Sequence, residues 1–64
     1  MEDWQQRVVD EHKELCERLT RLSAFISSNP KFEAMQQVEK ELLRNQRAIM
    51  LDYEDVLNYR ISRF

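Results

Sequence analysis

The chain is 64 residues long, enough for one small domain that buries only about 60% of its unfolded surface. It contains one cysteine and one histidine, which excludes an internal disulfide and is too few for a structural zinc site. Charged residues make up 34% of the sequence, but a net charge of −2 argues against binding nucleic acid polymers through a broad basic surface. Oligomerisation is therefore the remaining way for so short a chain to become stable.

The N-terminal segment is polar and acidic, unlike a signal peptide. No hydrophobic run approaches the length of a membrane span. We therefore expect no membrane contact and a location in the cytoplasm.

The first predicted helix covers residues 3–27 and presents a coiled-coil seam. Its seam positions recur at alternating intervals of four and three residues, namely Val8, His12, Leu15, Leu19, Leu22 and Ile26. Asp3 is the expected N-cap, since its carboxylate can accept hydrogen bonds from the first turn. This spacing predicts a long amphipathic helix with one face turned to a partner.

The segment 27–30 is the one strong break signal. Serine and asparagine favour local hydrogen bonds to the backbone, and Pro30 disfavours helical geometry at Asn29. Asn29 is then expected to cap a second helix, with Pro30 at its first position. A turn this short predicts an antiparallel helical hairpin. An alternative is that residues 31–34 form a separate turn before the second helix begins.

The second predicted helix covers residues 31–62 and carries an apolar band too wide for one neighbouring helix. One track of the band comprises Met35, Leu42, Ile49 and Val56, and an adjacent track comprises Leu43, Met50, Leu57 and Phe64. A turn centred on Asn29 places Val8 opposite Ile49 and Met50, and His12 opposite Gln46. In this register the end of the second helix runs past the start of the first.

Helix 1 can cover only one of these two tracks, so we expect the other to contact another chain. The predicted oligomer interface comprises Leu43, Met50, Leu57, Ile61 and Phe64. Leaving several such side chains exposed would forgo roughly 1.5–3 kcal/mol each. The predicted fold class is all-α: a single domain of residues 1–64, folded as a two-helix antiparallel hairpin that assembles into a homo-oligomeric helical bundle.

Catalysis and metal binding have little support in the sequence. Without glycine the chain cannot form a phosphate-cradling loop or a nucleophile elbow. His12 and Cys16 could pair as imidazolium and thiolate, but the simpler interpretation is a polar layer and a flanking core residue. The acidic residues of segment 52–55 point in different directions around a helix. We predict no enzyme activity, no cofactor and no metal site.

Cationic and aromatic side chains are the best candidates for ligand binding, because they can hold a phosphate and stack on a base. The candidates are Arg44, Arg47, Tyr53, Tyr59 and Arg60 in the second helix, with Trp4 and Arg7 in the first. In an oligomer these groups would meet at interfaces, where small-ligand pockets often form. The simpler alternative is that the arginines solvate the band and bridge to nearby acids.

Several segments together resemble a known family. They are residues 4–11, 14–15, 25–26, 41–43 and 60–64, with Leu22 between them. This combination is similar to a family of small phage and prophage proteins named after a crAss-like phage protein. At the level of the fold, the chain also resembles helical-hairpin phage sponges that sequester the nucleotide signals of CBASS and Thoeris immunity.

These resemblances imply a phage-encoded, non-enzymatic anti-defence protein in the host cytoplasm. The expected ligand is a cyclic nucleotide immune signal held in pockets of a homo-oligomer. The alternative is a small interaction module that binds a host or phage protein through the apolar band of the second helix. Fold resemblance alone does not choose between them.

Overall fold

A computed structural model describes residues 1–64 and contains three helices. Helix α1 spans Asp3–Ser28, α2 spans Pro30–Glu33 and α3 spans Gln37–Ser62. The long helices α1 and α3 pack against each other, and the molecule is elongated, with extents of 46 × 15 × 14 Å. The predicted all-α hairpin is therefore confirmed at the level of the single chain.

The first helix begins at Asp3 as predicted, but its N-cap is a different residue. Glu2, not Asp3, is the N-cap, and its backbone N–H donates to Gln5 Oε1 at 2.8 Å. Asp3 becomes the first helical residue. A carboxylate is favoured there because the helix macrodipole is positive at this end.

The turn confirms the predicted cap but corrects the second helix. Asn29 Oδ1 accepts a hydrogen bond from the Lys31 backbone N–H at 2.9 Å, with Pro30 at the first helical position. The helix that follows ends at Glu33, however, and α3 begins only at Gln37. A continuous helix over residues 31–62 was therefore wrong, and the alternative of a separate turn before the main helix was correct.

Burial of Phe32 explains the interruption. The Phe32 side chain is only 1% exposed, and its ring packs edge-on against Phe25 with centroids 6.0 Å apart. Burying a phenylalanine stabilises a fold by roughly 1.5–3 kcal/mol. Each backbone hydrogen bond lost at a helix break costs only about 0.5–1.5 kcal/mol. The short helix α2 thus closes the turn end of the hairpin with the packed rings of Phe25 and Phe32, which we call the aromatic plug.

The longer turn shifts the register between the two long helices. His12 contacts Glu54, with Nε2 and Oε2 2.7 Å apart, rather than opposing Gln46. Glu54 lies eight residues beyond Gln46, which is one heptad plus one residue or slightly more than two helical turns. Trp4 meets Phe64, so the ends of α1 and α3 lie level and the predicted overhang is absent.

This shift also exchanges the roles of the two apolar tracks. Val8, Leu15, Leu19 and Leu57 form the core, with Met50 and Ile61 packed against it. Leu57 is 1% exposed, and Leu43 is half-buried. Phe64 packs against Trp4, although it remains partly exposed. Met50, Leu57 and Ile61 therefore pack within this chain, and for these three the assignment to an uncovered face was wrong.

The opposite track is the one that remains uncovered. Leu42, Ile49 and Val56 are 57%, 60% and 56% exposed, and Val38 is exposed beside them. We call Val38, Leu42, Ile49 and Val56 the exposed strip. None of the three helices combines the length and apolar character needed to cross a membrane.

Candidate functional site

The residues predicted to bind a ligand lie in two groups at opposite ends of the hairpin. Arg44 and Arg47 lie near the turn, while Tyr59 and Arg60 lie near the chain termini with Trp4. Sixteen residues of α3 separate Arg44 from Arg60, a rise of about 24 Å. One compact ligand cannot contact both groups within a single chain.

The larger depression lies near the turn and holds two of the predicted arginines. It has a volume of about 690 Å³. We call it the arginine groove; it is lined by Ser23, Ala24, Ile26 and Ser27 of α1 and by Arg44 and Arg47 of α3. Arg47 Nε donates to Ser23 Oγ at 2.7 Å, which holds the guanidinium across the two helices.

Arg44 is positioned by the aromatic plug. Its guanidinium carbon lies 5.2 Å from the centroid of the Phe32 ring, within the range of a cation–π contact. Lys40 also approaches this ring, with Nζ 5.7 Å from the centroid. The buried ring thus keeps two cations close to the turn end of the molecule.

The two arginines of the arginine groove form no direct ion pair with an acid. The short contacts between basic and acidic side chains join His12 to Glu54 and Lys40 to Glu33. Neither Arg44 nor Arg47 has a carboxylate oxygen within 4.0 Å. The simpler alternative, in which these arginines bridge to neighbouring acids, is therefore not what the structure contains.

Two serines in this groove were not identified from the sequence. Ser23 accepts the hydrogen bond from Arg47, so its own hydroxyl proton can still be donated to a bound oxygen. Ser27 donates to the Ala24 carbonyl at 3.4 Å, a long bond that an incoming acceptor could replace. Their i,i+4 spacing places both on one face of α1, but only the correct register shows that this face meets Arg44 and Arg47.

A smaller depression of about 360 Å³ lies at the open end of the hairpin. It is lined by Trp4, Gln5, Arg60, Arg63 and Phe64. The Trp4 and Phe64 rings pack edge-on with centroids 5.2 Å apart, yet Trp4 stays 50% exposed. Tyr59 is 66% exposed, and the Arg63 guanidinium lies 5.9 Å from the centre of its ring. This end therefore offers aromatic faces beside cations.

Tyr53 and Arg7 line neither the arginine groove nor the smaller depression. The Tyr53 hydroxyl donates to the Glu11 carboxylate, and this hydrogen bond raises the pKa of Tyr53. The contact ties the middle of α3 to α1. Arg7 is exposed on α1, one turn beyond Trp4.

A cluster of polar side chains, separate from the two depressions, lies between α1 and α3. His12 Nε2 is 2.7 Å from Glu54 Oε2 and 3.6 Å from Cys16 Sγ. His12 and Glu54 side chains are 24% and 23% exposed. His12 thus forms an interhelical polar layer as predicted, but with Glu54 instead of Gln46.

Comparison with known proteins gives one family. A family model described as Sequestin matches residues 2–63. The match includes both long helices and the turn, and it agrees with the small helical-hairpin family expected from the sequence. No curated protein and no solved structure matches the chain.

Proposed function

Because this chain belongs to the Sequestin family, we propose that it binds and withholds a small anionic ligand without converting it chemically. The family name itself denotes sequestration. The arginine groove is the observation that carries the proposal, since Arg44 and Arg47 have no carboxylate partner there. Guanidinium groups beside serine hydroxyls are well suited to phosphate oxygens.

The ligand we propose is a cyclic nucleotide, specifically an immune signal that a phage protein would remove in the host cytoplasm. A volume of about 690 Å³ lies within the usual range of roughly 300–1,000 Å³ for small-ligand sites. Arg44 and Arg47 would neutralise its phosphates. Exposed aromatic rings, such as Trp4 and Tyr59 at the other end of the hairpin, would stack on its bases.

Such a ligand requires a homo-oligomer, because one chain cannot bring both ends together. The surface area is 5047 Å², whereas a typical monomer of 7.8 kDa has about 4,400 Å². Only 5 of the 64 residues are buried. The exposed strip would supply the missing apolar contact by packing against the same strip of a second copy.

Charge favours an antiparallel arrangement of the two copies of α3. Asn45 and Asp52 fall between members of the exposed strip at heptad spacing. Parallel pairing would bring the two copies of Asp52 together, which is unfavourable. Antiparallel pairing centred on Ile49 places Asn45 near the partner's Asp52 and brings the partner's Tyr59 towards Arg44.

Calorimetric titration with cyclic di- and trinucleotides tests the proposed activity. We expect saturable binding that weakens with added salt, and recovery of the unchanged nucleotide after the protein is denatured. Arg47→Gln should lower the affinity at least about tenfold, since a hydrogen bond to a charged group contributes about 1.5–3 kcal/mol. Arg18→Gln, an exposed change on α1, is the matched control and should bind normally.

Two results would contradict this function. One is the absence of binding across the whole nucleotide panel at protein concentrations where the oligomer is present. The other is equal loss of affinity in Arg47→Gln and Arg18→Gln, which would show only a general effect of charge. Conversion of the nucleotide to a product would overturn the non-enzymatic mechanism.

The exposed strip also favours a second candidate function, capture of a host or phage protein helix. Leu42, Ile49 and Val56 are more than half exposed and share a face of α3. In this case Ile49→Lys would abolish capture of the partner, whereas Arg47→Gln would not. Solution mass separates the two functions, since a stable monomer at micromolar concentration argues for the helix-binding module and against the sponge.

A further inference from the structure

The cluster of polar side chains between α1 and α3 has the composition and spacing of a transition-metal site. His12, Cys16 and Glu54 each offer one ligand atom, and these atoms all lie within 4.8 Å of one another. His12 and Cys16 are one turn apart on α1, while Glu54 reaches them from α3. One histidine and one cysteine are too few for a zinc site, but the register of the two long helices adds the Glu54 carboxylate to them.

The distances are close to those of a zinc coordination sphere. Zinc binds sulfur at about 2.3 Å and histidine nitrogen or carboxylate oxygen at about 2.0–2.2 Å. Tetrahedral geometry then separates nitrogen from sulfur by about 3.6 Å, and nitrogen from oxygen by about 3.3 Å. His12 Nε2 is 3.6 Å from Cys16 Sγ and 2.7 Å from Glu54 Oε2, and the three ligand atoms all lie within 4.8 Å of one another. Zinc binding therefore keeps the nitrogen–sulfur distance, widens the nitrogen–oxygen distance and sets the sulfur–oxygen distance at about 3.6 Å.

We propose that His12 Nε2, Cys16 Sγ and Glu54 Oε2 bind one Zn²⁺ ion, with water as the fourth ligand. A thiolate and a carboxylate together neutralise the charge of the ion. All three residues are half-buried, which leaves one side of the ion open to solvent. Binding displaces the thiol proton of Cys16 and any proton on Nε2 of His12. The ion joins α1 to α3 and holds them in the observed register.

Cobalt substitution gives a direct test on the full chain after removal of metals with a chelator. Cobalt should bind one ion per chain and give an intense near-ultraviolet charge-transfer band, which only a thiolate ligand produces. Cys16→Ser should abolish the band. His12→Gln and Glu54→Gln should each weaken metal binding at least about tenfold. Glu14→Gln, an exposed acid on the outer face of α1, is the control and should leave binding unchanged.

Thermal unfolding provides a readout independent of the spectrum. Zinc at about 100 times its dissociation constant should raise the unfolding midpoint by about 10 °C or more in the native chain. At the same zinc concentration the three ligand variants should keep their helical circular dichroism and show at most about half of this rise.

Absence of the charge-transfer band overturns the proposal. It is also overturned if the band persists at full affinity in both His12→Gln and Glu54→Gln, because the metal would then bind the thiol alone.

Discussion

The two faces of α3 carry similar side chains but have opposite environments. On one face Leu57 is almost completely buried against α1, and Met50 is packed beside it. On the other face Leu42 and Ile49 are more than half exposed. Both faces repeat at seven-residue intervals, so apolar character and spacing alone do not distinguish them. The difference comes from the turn, which fixes the face that meets α1.

Folding of the hairpin and its assembly therefore depend on different faces of α3. The Leu57 face provides the core that one chain can build by itself. The exposed strip can contribute to stability only when another surface covers it. Changes on the two faces should therefore have different dependences on protein concentration.

The largest effect is expected from Leu57→Ala. It should lower the free energy of unfolding by about 2–5 kcal/mol, because it leaves a cavity where the side chain is 1% exposed. A chain of 64 residues has a total stability of only about 3–10 kcal/mol. Leu42→Ala makes the same chemical change at a site that is 57% exposed and should cost less than about 1 kcal/mol in the monomer. Urea denaturation at low protein concentration measures both; equal costs would contradict the assigned faces.

A charge in the exposed strip should break assembly without unfolding the hairpin. Ile49→Lys removes an apolar side chain from each copy and places two ammonium groups near the centre of the proposed interface. We expect association to weaken at least about 100-fold, since burying each such side chain contributes roughly 1.5–3 kcal/mol. Sedimentation equilibrium measures the change, and circular dichroism checks helicity. Ala48→Lys, next to the strip, is the control; dissociation by both variants alike would place the interface elsewhere.

A smaller effect is expected at the turn that sets the register. Asn29→Ala removes the side-chain acceptor from the Lys31 N–H and should destabilise the hairpin by about 1 kcal/mol. Asn29→Asp retains an acceptor and should restore most of this loss. Thermal unfolding distinguishes them, with an expected difference of several degrees in Tm. A midpoint in Asn29→Ala equal to that of the native chain would show that the cap does not contribute to the turn.

Local signals in the sequence were sufficient for α1 and for the cap that follows it. The seam from Val8 to Ile26 predicts α1, and the structure extends that helix by only one residue at its C-terminus. Asn29 followed by Pro30 correctly predicts a capped helix start. The register was wrong because it was built on a continuous helix over residues 31–62, and no local rule indicates that Phe32 would be buried, which favours the separate turn instead.

The same limit applies to the candidate site. Arg44 and Arg47 could be selected from the sequence because guanidinium groups suit phosphates. Their neighbours Ser23 and Ser27 could not, since a helical surface serine is common and its partner depends on the register.

The sequence by itself determined a two-helix hairpin with more apolar surface than one chain can bury. Hydrophobic periodicity and helix capping are local properties, which is why they can be identified along the chain. Only the tertiary structure decided which face of α3 is covered and that His12, Cys16 and Glu54 meet. Both outcomes depend on the turn, because a shift of eight residues, one heptad plus one, exchanges the two apolar tracks and changes every long-range neighbour while leaving the local pattern of each helix intact.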